Sequence, residues 1–129
     1  MEAIVAIVVL SLAVPSMVWA IRMAHNGRVD PVQASRARWL ASEKLEDVIA
    51  DRNSTTRGYS YVVTANYPSE GSISGFPGFT RSVAITETGA NLVSAGTGYK
   101  RVVVTVSYTG AAGTPRAMAL STVVTEYTP

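Results

Sequence analysis

Few side chains in this sequence can do chemistry, and their spacing assigns them little of it. There is no cysteine, which removes disulfides, thiolate nucleophiles and sulfur-ligated metals together. His25 is the only histidine. Without Cys it cannot complete a His/Cys zinc set, and its neighbours Asn26 and Gly27 read as an exposed turn. The acidic and basic residues Glu43, Lys44, Glu46 and Asp47 sit close enough to suggest an acid–base pair. A solvated helix face explains them better. Counting does not exclude a Ser–His–Asp arrangement, but no G-x-S-x-G elbow occurs. Gly96-Thr97-Gly98-Tyr99-Lys100 lacks the spacing of a phosphate-binding loop and reads as a turn before a strand. Asn53-Ser54-Thr55 matches a glycosylation sequon, a frequent chance match. No catalytic, cofactor-binding or metal-ligating residue is therefore assigned, no cofactor is expected, and the chain reads as a non-enzyme.

Glu2 carries the most information. It stands before Ala3–Ile21, a run of 19 residues without a charge. As a helix that run spans roughly 28 Å, close to a ~30 Å hydrocarbon core. Trp19 lies near its end, where an indole suits a membrane interface. Pro15 cannot donate to the carbonyl of Ser11, so a kink or local melting is expected between Ser11 and Pro15. A buried core helix is disfavoured, because a helix apolar all round needs a larger protein to cover it. A cleaved secretory signal, with Val18-Trp19-Ala20 as the cleavage site, lacks Lys or Arg ahead of the run. A retained membrane anchor fits better. Glu2 itself has two readings. One is a solvated acid favoured by the helix dipole; the other is an ion pair with a cation on a neighbouring subunit.

The remaining elements follow from periodicity. All 11 basic side chains lie from Arg22 onward, and the net charge of +2 gives no argument for nucleic acid, which is not an expected partner. Asp30-Pro31 reads as an N-cap followed by the first helical residue. An amphipathic helix then runs from about Pro31 to Asp51, with Ala34, Ala37, Ala41, Leu45, Val48 and Ile49 on its apolar side. Four strands are expected: Tyr59–Asn66, Phe79–Thr86, Lys100–Tyr108 and Ala117–Tyr127. In the second, Phe79, Val83 and Ile85 point inward and Arg81 breaks the alternation. In the third, Val102, Val104, Val106 and Tyr108 share a face. Loops at Pro68–Gly78, Thr88–Gly98 and Thr109–Pro115 make an antiparallel meander. The expected fold class is α+β: a long N-terminal helix, part membrane and part amphipathic, packed on a small antiparallel sheet. Its parts are 1–25 (transmembrane or assembly helix), 26–52 (amphipathic helix continuing into the domain) and 53–129 (β-rich domain).

Glu2 followed by AIVAIVVLSLAVP resembles the mature N-terminus of type IV pilins and type II secretion pseudopilins. Pro15 is similar to a proline that many members carry in the apolar helix. Ala41-Ser42-Glu43-Lys44-Leu45-Glu46 resembles a helix of the minor pilin and I-type pseudopilin groups, and YKRVVVTVSY (99–108) resembles their late strand. The resemblance implies a pilin-like roll and a structural role in a filament. The implied partners are other pilin or pseudopilin subunits met through the N-terminal helix, inner-membrane lipid, a prepilin peptidase and an assembly platform. It also implies a basic leader and first mature residues ahead of Glu2, N-terminal methylation after processing, and a periplasmic or extracellular C-terminal domain. Arg22, Arg28, Arg36 and Arg38 would place that domain in the cytoplasm by the positive-inside tendency; the family orientation is the one adopted. The alternative is a signal-anchored or secreted monomeric binding or adhesion domain.

Overall fold

The computed structural model describes residues 2–110 and 113–127, and of residues 26–29 the backbone alone. Met1 lies outside the described residues. One helix, α1 (Glu2–Asn53), takes up 52 residues, roughly 78 Å at ~1.5 Å per residue. After it come a single helical turn α2 (Gly58–Tyr61), a 3-10 turn at Thr64–Asn66, and the strands β1 (Phe79–Thr88), β2 (Tyr99–Thr109) and β3 (Pro115–Thr125). The strands form an antiparallel sheet in the order β1-β2-β3. This is the α+β class read from the sequence.

One local expectation gives way. The turn at His25-Asn26-Gly27 and the restart at Asp30-Pro31 are absent, and α1 runs through both. Of the two outcomes expected at Pro15, a kink or local melting, melting does not occur. A proline inside a helix deletes one i→i−4 bond and crowds one carbonyl. Long helical runs on both sides of Pro15 and Pro31 keep the chain helical across that single loss. The hydroxyls near Pro15 bond within the helix, Ser11 Oγ donating to Val8 O at 2.7 Å and Ser16 Oγ to Ala13 O at 2.8 Å.

The strand expected at Tyr59–Asn66 is a pair of tight turns instead. Gly58 adopts φ +66°, in the left-handed region, and swings the chain back just after α1 ends. The segment then lies along β1 without joining the sheet. Ile85 N–H donates to Thr64 Oγ1 at 2.9 Å, and the Thr64 hydroxyl meets Ile85 O at 3.3 Å.

The core lies between the second half of α1 and the sheet. Ala37, Leu40, Ala41 and Val48 are fully buried against Val62, Val102, Val104 and Val106. Each Val or Leu so buried contributes about 1.5–3 kcal/mol of transfer free energy. Ile49, expected on the buried side, is exposed instead. Near the far end of the β1–β2 loop the chain closes on itself: a Cβ on Gly96 would lie 2.6 Å from Gly89 N and Cα. The two ends of β3 are tied to α1. Asp30 Oδ2 lies 3.7 Å from Arg116 Nη2, and Arg52 Nε and Nη2 reach Thr125 O at 3.0 and 2.8 Å. Strand β3 therefore runs alongside α1 in the same direction.

Candidate assembly helix and its polar supports

The first part of α1 has no intramolecular cover. Every described residue from Glu2 to His25 is exposed, including Leu12, Met17 and Trp19. The most apolar 18-residue window has a mean hydropathy of 2.5 and none of it is buried. Among the described residues this is the one helix long and apolar enough to cross a membrane. In water such a surface is unfavourable in proportion to its area. Any apolar surroundings would relieve that cost, and the helix could cross a membrane.

Glu2 occupies the first turn of α1, exposed and, among the described residues, in no ion pair. At that position the helix dipole favours a carboxylate. Pro15 lies exposed in mid-helix. The two residues singled out from the sequence are therefore about 20 Å apart along the axis at ~1.5 Å per residue. They form no common site.

The polar groups that organise the domain lie elsewhere. Arg81, read from the sequence as a break in the strand pattern, keeps the inward parity of Phe79 and Val83 and is only 8% exposed. Its guanidinium donates to Glu70 Oε2 at 2.8 Å, Glu43 Oε2 at 2.9 Å and the Leu40 carbonyl at 2.8 Å. Lys44 Nζ adds a contact to Glu70 Oε1 at 3.1 Å. Burial works to raise the Glu70 carboxyl, but the hydrogen bonds from Arg81 and Lys44 outweigh it and hold the group below its ordinary value. Glu43 and Lys44 are thus not merely a solvated face; they fasten the 68–78 loop and β1 to α1. Glu46 and Asp47 remain exposed.

A second cluster closes the end of α1. Asp51 accepts from Tyr67 Oη at 2.9 Å and from Arg57 Nη1 at 2.5 Å. The Arg57 guanidinium lies over the Tyr61 ring, 4.9 Å from its centroid. Burial, then the Asp51 carboxylate, push the Tyr67 hydroxyl well above its ordinary value. Lys100 is buried on the inward face of β2, its ammonium 4.1 Å from the Tyr59 ring centroid and 2.9 Å from Tyr59 O. Burial and the nearby Glu87 raise Tyr59 to about 12. A chain of rings, Trp39–Phe76–Phe79–Tyr108, runs from the exposed side of α1 to the sheet, with centroids 5.6, 6.3 and 5.5 Å apart.

These clusters hold elements together. The Asp51, Arg57, Tyr61 and Tyr67 side chains also line, with Lys44 and Asp47, an open surface pocket beside α1. Among the described residues no group of three or more His, Cys, Asp or Glu is placed to hold a metal. The sequence signal for Arg81 and Lys100 was parity alone: both fall on inward positions of otherwise apolar strands.

No family model, curated protein or solved structure matches the chain.

Proposed function

We propose that this chain is a structural subunit of a filament, a minor pilin or pseudopilin of the type IV pilus or type II secretion kind. It is held in a bacterial inner membrane by the first part of α1, with the C-terminal domain on the periplasmic or extracellular side. The observation that carries the reading is the wholly uncovered apolar helix, continuous with a helix that is well packed in the domain. A rigid rod of this kind transmits the position of its membrane half to the domain. In the membrane, lipid covers the apolar surface. In a filament, equivalent helices of other subunits replace the lipid.

In this reading Glu2 sets the axial register. An unpaired carboxylate inside an apolar bundle costs several kcal/mol, so the position in which it meets a neighbour's N-terminal amine is favoured over slipped ones. The test is Glu2→Val in the natural gene, read by filament assembly or secretion with chain level as control. Loss of assembly at unchanged level is the expected result. Normal assembly removes the register role of Glu2; a parent chain that enters no filament leaves the helix as an anchor for a monomeric binding or adhesion domain.

A further inference from the structure

The two edges of the sheet are finished differently. On β1 the odd-numbered residues turn their backbone groups outward, and the preceding segment meets three of them. Phe79 N–H donates to Phe76 O at 3.3 Å; Arg81 exchanges both bonds with Glu70 at 2.8 and 2.9 Å; Ile85 is met by Thr64 Oγ1. The outward set of β3 is fixed by two observations. Thr125 O accepts from Arg52 and so points away from β2. In an antiparallel strand the direction alternates with period two, so Val123, Ser121, Ala119 and Ala117 point the same way. Pro115, which has no N–H, shares their parity, as a proline on an open edge does. Among the described residues no hydrogen bond from outside the sheet reaches these four, and all four are exposed. The run 117–125 contains no charge, proline or glycine. Natural edges usually carry such residues to refuse a further strand.

We propose that the outer edge of β3, Ala117 to Val123, is a strand-acceptor site whose occupant is an extended segment of a different polypeptide, uncharged on the row that faces α1. Main-chain bonds supply the attachment. A charge on that row would be desolvated beside Met118 and Leu120 with no counter-ion from the 117–125 run. The half-buried Met118 and Leu120 favour apolar side chains on the segment's helix-side row, and Ala117, Ala119 and Ser121 leave the other row open. A second anchored copy fits poorly. Because β3 runs with α1, antiparallel β3–β3 pairing points the two apolar helices in opposite directions. A parallel pair related by a two-fold axis sets identical residues level, whereas a parallel ladder needs them staggered by one. The other route, through the partner's β1, meets a closed edge. This exclusion of a second copy rests on the anchor reading; acceptance of a strand does not.

The experiment uses the full chain in lipid nanodiscs. The probe is the free peptide RAMALSTVVTE, which has the required uncharged core and no tether to fix its direction. Hydrogen exchange at Ala117, Ala119, Ser121 and Val123 is expected to slow at least about tenfold at saturating peptide, and the amides already bonded to β2 should be little changed. Ser121→Pro removes one outward N–H and none of the bonds to β2, so it should abolish this protection at unchanged melting temperature. Ser121→Ala should retain it. Unchanged exchange at the four amides, or full protection in a folded Ser121→Pro chain, overturns the site. The occupant is tested by a photo-cross-linking residue at Ala119 in the native cell. An adduct to an identified different protein, lost on adding Ser121→Pro, supports it; an adduct to a second copy, or none, overturns it. Glu2→Val is expected to leave the peptide result unchanged, so failure of the filament reading and failure of this site are separable.

Discussion

Replacing Arg81 by Met tests the physical account of the domain most directly. The Arg81 side chain is 7% exposed, and its guanidinium is bonded to two carboxylates and one carbonyl. Removing one partner of a fully buried ion pair costs about 3–5 kcal/mol. Here the groups left behind are partly wet, since Glu43 keeps 46% and Glu70 29% of its side-chain exposure. Glu70 also retains Lys44 at 3.1 Å. The expected loss is therefore at or below the low end, about 2–3 kcal/mol, with the Met side chain filling most of the space. Urea unfolding in detergent micelles, followed by Trp39 fluorescence in a Trp19→Phe background, reads it, because Trp39 contacts Phe76 in the loop that Glu70 fastens. Adding Glu70→Gln to Arg81→Met should recover part of the loss by removing the stranded charge. The pH dependence has a fixed sign. The folded-state pKa of Glu70 lies below its ordinary 4.5, so its stabilisation is complete above that value and is lost as pH falls through the folded value. The Arg81→Met chain should show a smaller acid-dependent loss from this group. A destabilisation under about 1 kcal/mol, or an unchanged acid profile, would refute the assignment of Arg81 as the tie between β1, the loop and α1.

Other substitutions address separate joints. Leu40→Ala, at a fully buried position, should cost about 2–5 kcal/mol in the same urea assay. Thr64→Val takes away the hydroxyl that closes β1 at Ile85; a loss of about 1 kcal/mol is expected, with faster hydrogen exchange at the Ile85 amide than in the parent chain. Gly96→Ala forces a Cβ to within 2.6 Å of Gly89 backbone and should destabilise by about 1–3 kcal/mol; an unaffected midpoint would show that the loop shifts freely. Tyr59 is raised to about 12 in the folded chain from an ordinary 10.0. Its contribution is thus full below pH 10 and lost as pH climbs through the folded value, so Tyr59→Phe should flatten the alkaline fall in melting temperature between about pH 10 and 12.

Three strands and the meander were legible because period-two alternation is a local signal. Phe79–Thr86, Lys100–Tyr108 and Ala117–Tyr127 differ from β1, β2 and β3 by only a few residues at their ends. The helix from Pro31 was legible for the same reason, at period 3.6. Tyr59–Asn66 carries an equally good alternation and is not a strand. Its conformation is set by the need to reverse direction after α1 and to satisfy the outward groups of Ile85, a requirement created elsewhere in the chain. Continuity through Asn26-Gly27 and Pro31 was likewise misread, because turn and breaker residues report a local cost and not the helical runs flanking it.

The sequence by itself determined an apolar segment of membrane length with Glu2 at its head, the amphipathic continuation and three of the four strands expected. Each depends on residue type and spacing alone. Only the tertiary structure decided what the inward charges do. Arg81 is 38 residues from Glu43, 11 from Glu70 and 41 from Leu40 along the chain, and Lys100 is 41 from Tyr59. A buried charge is tolerated only where distant groups converge on it, and no local pattern encodes that convergence. The same holds for the sheet's edges. The three strands could be read from the chain, but which edge the 63–70 segment closes and which stays open is decided by packing.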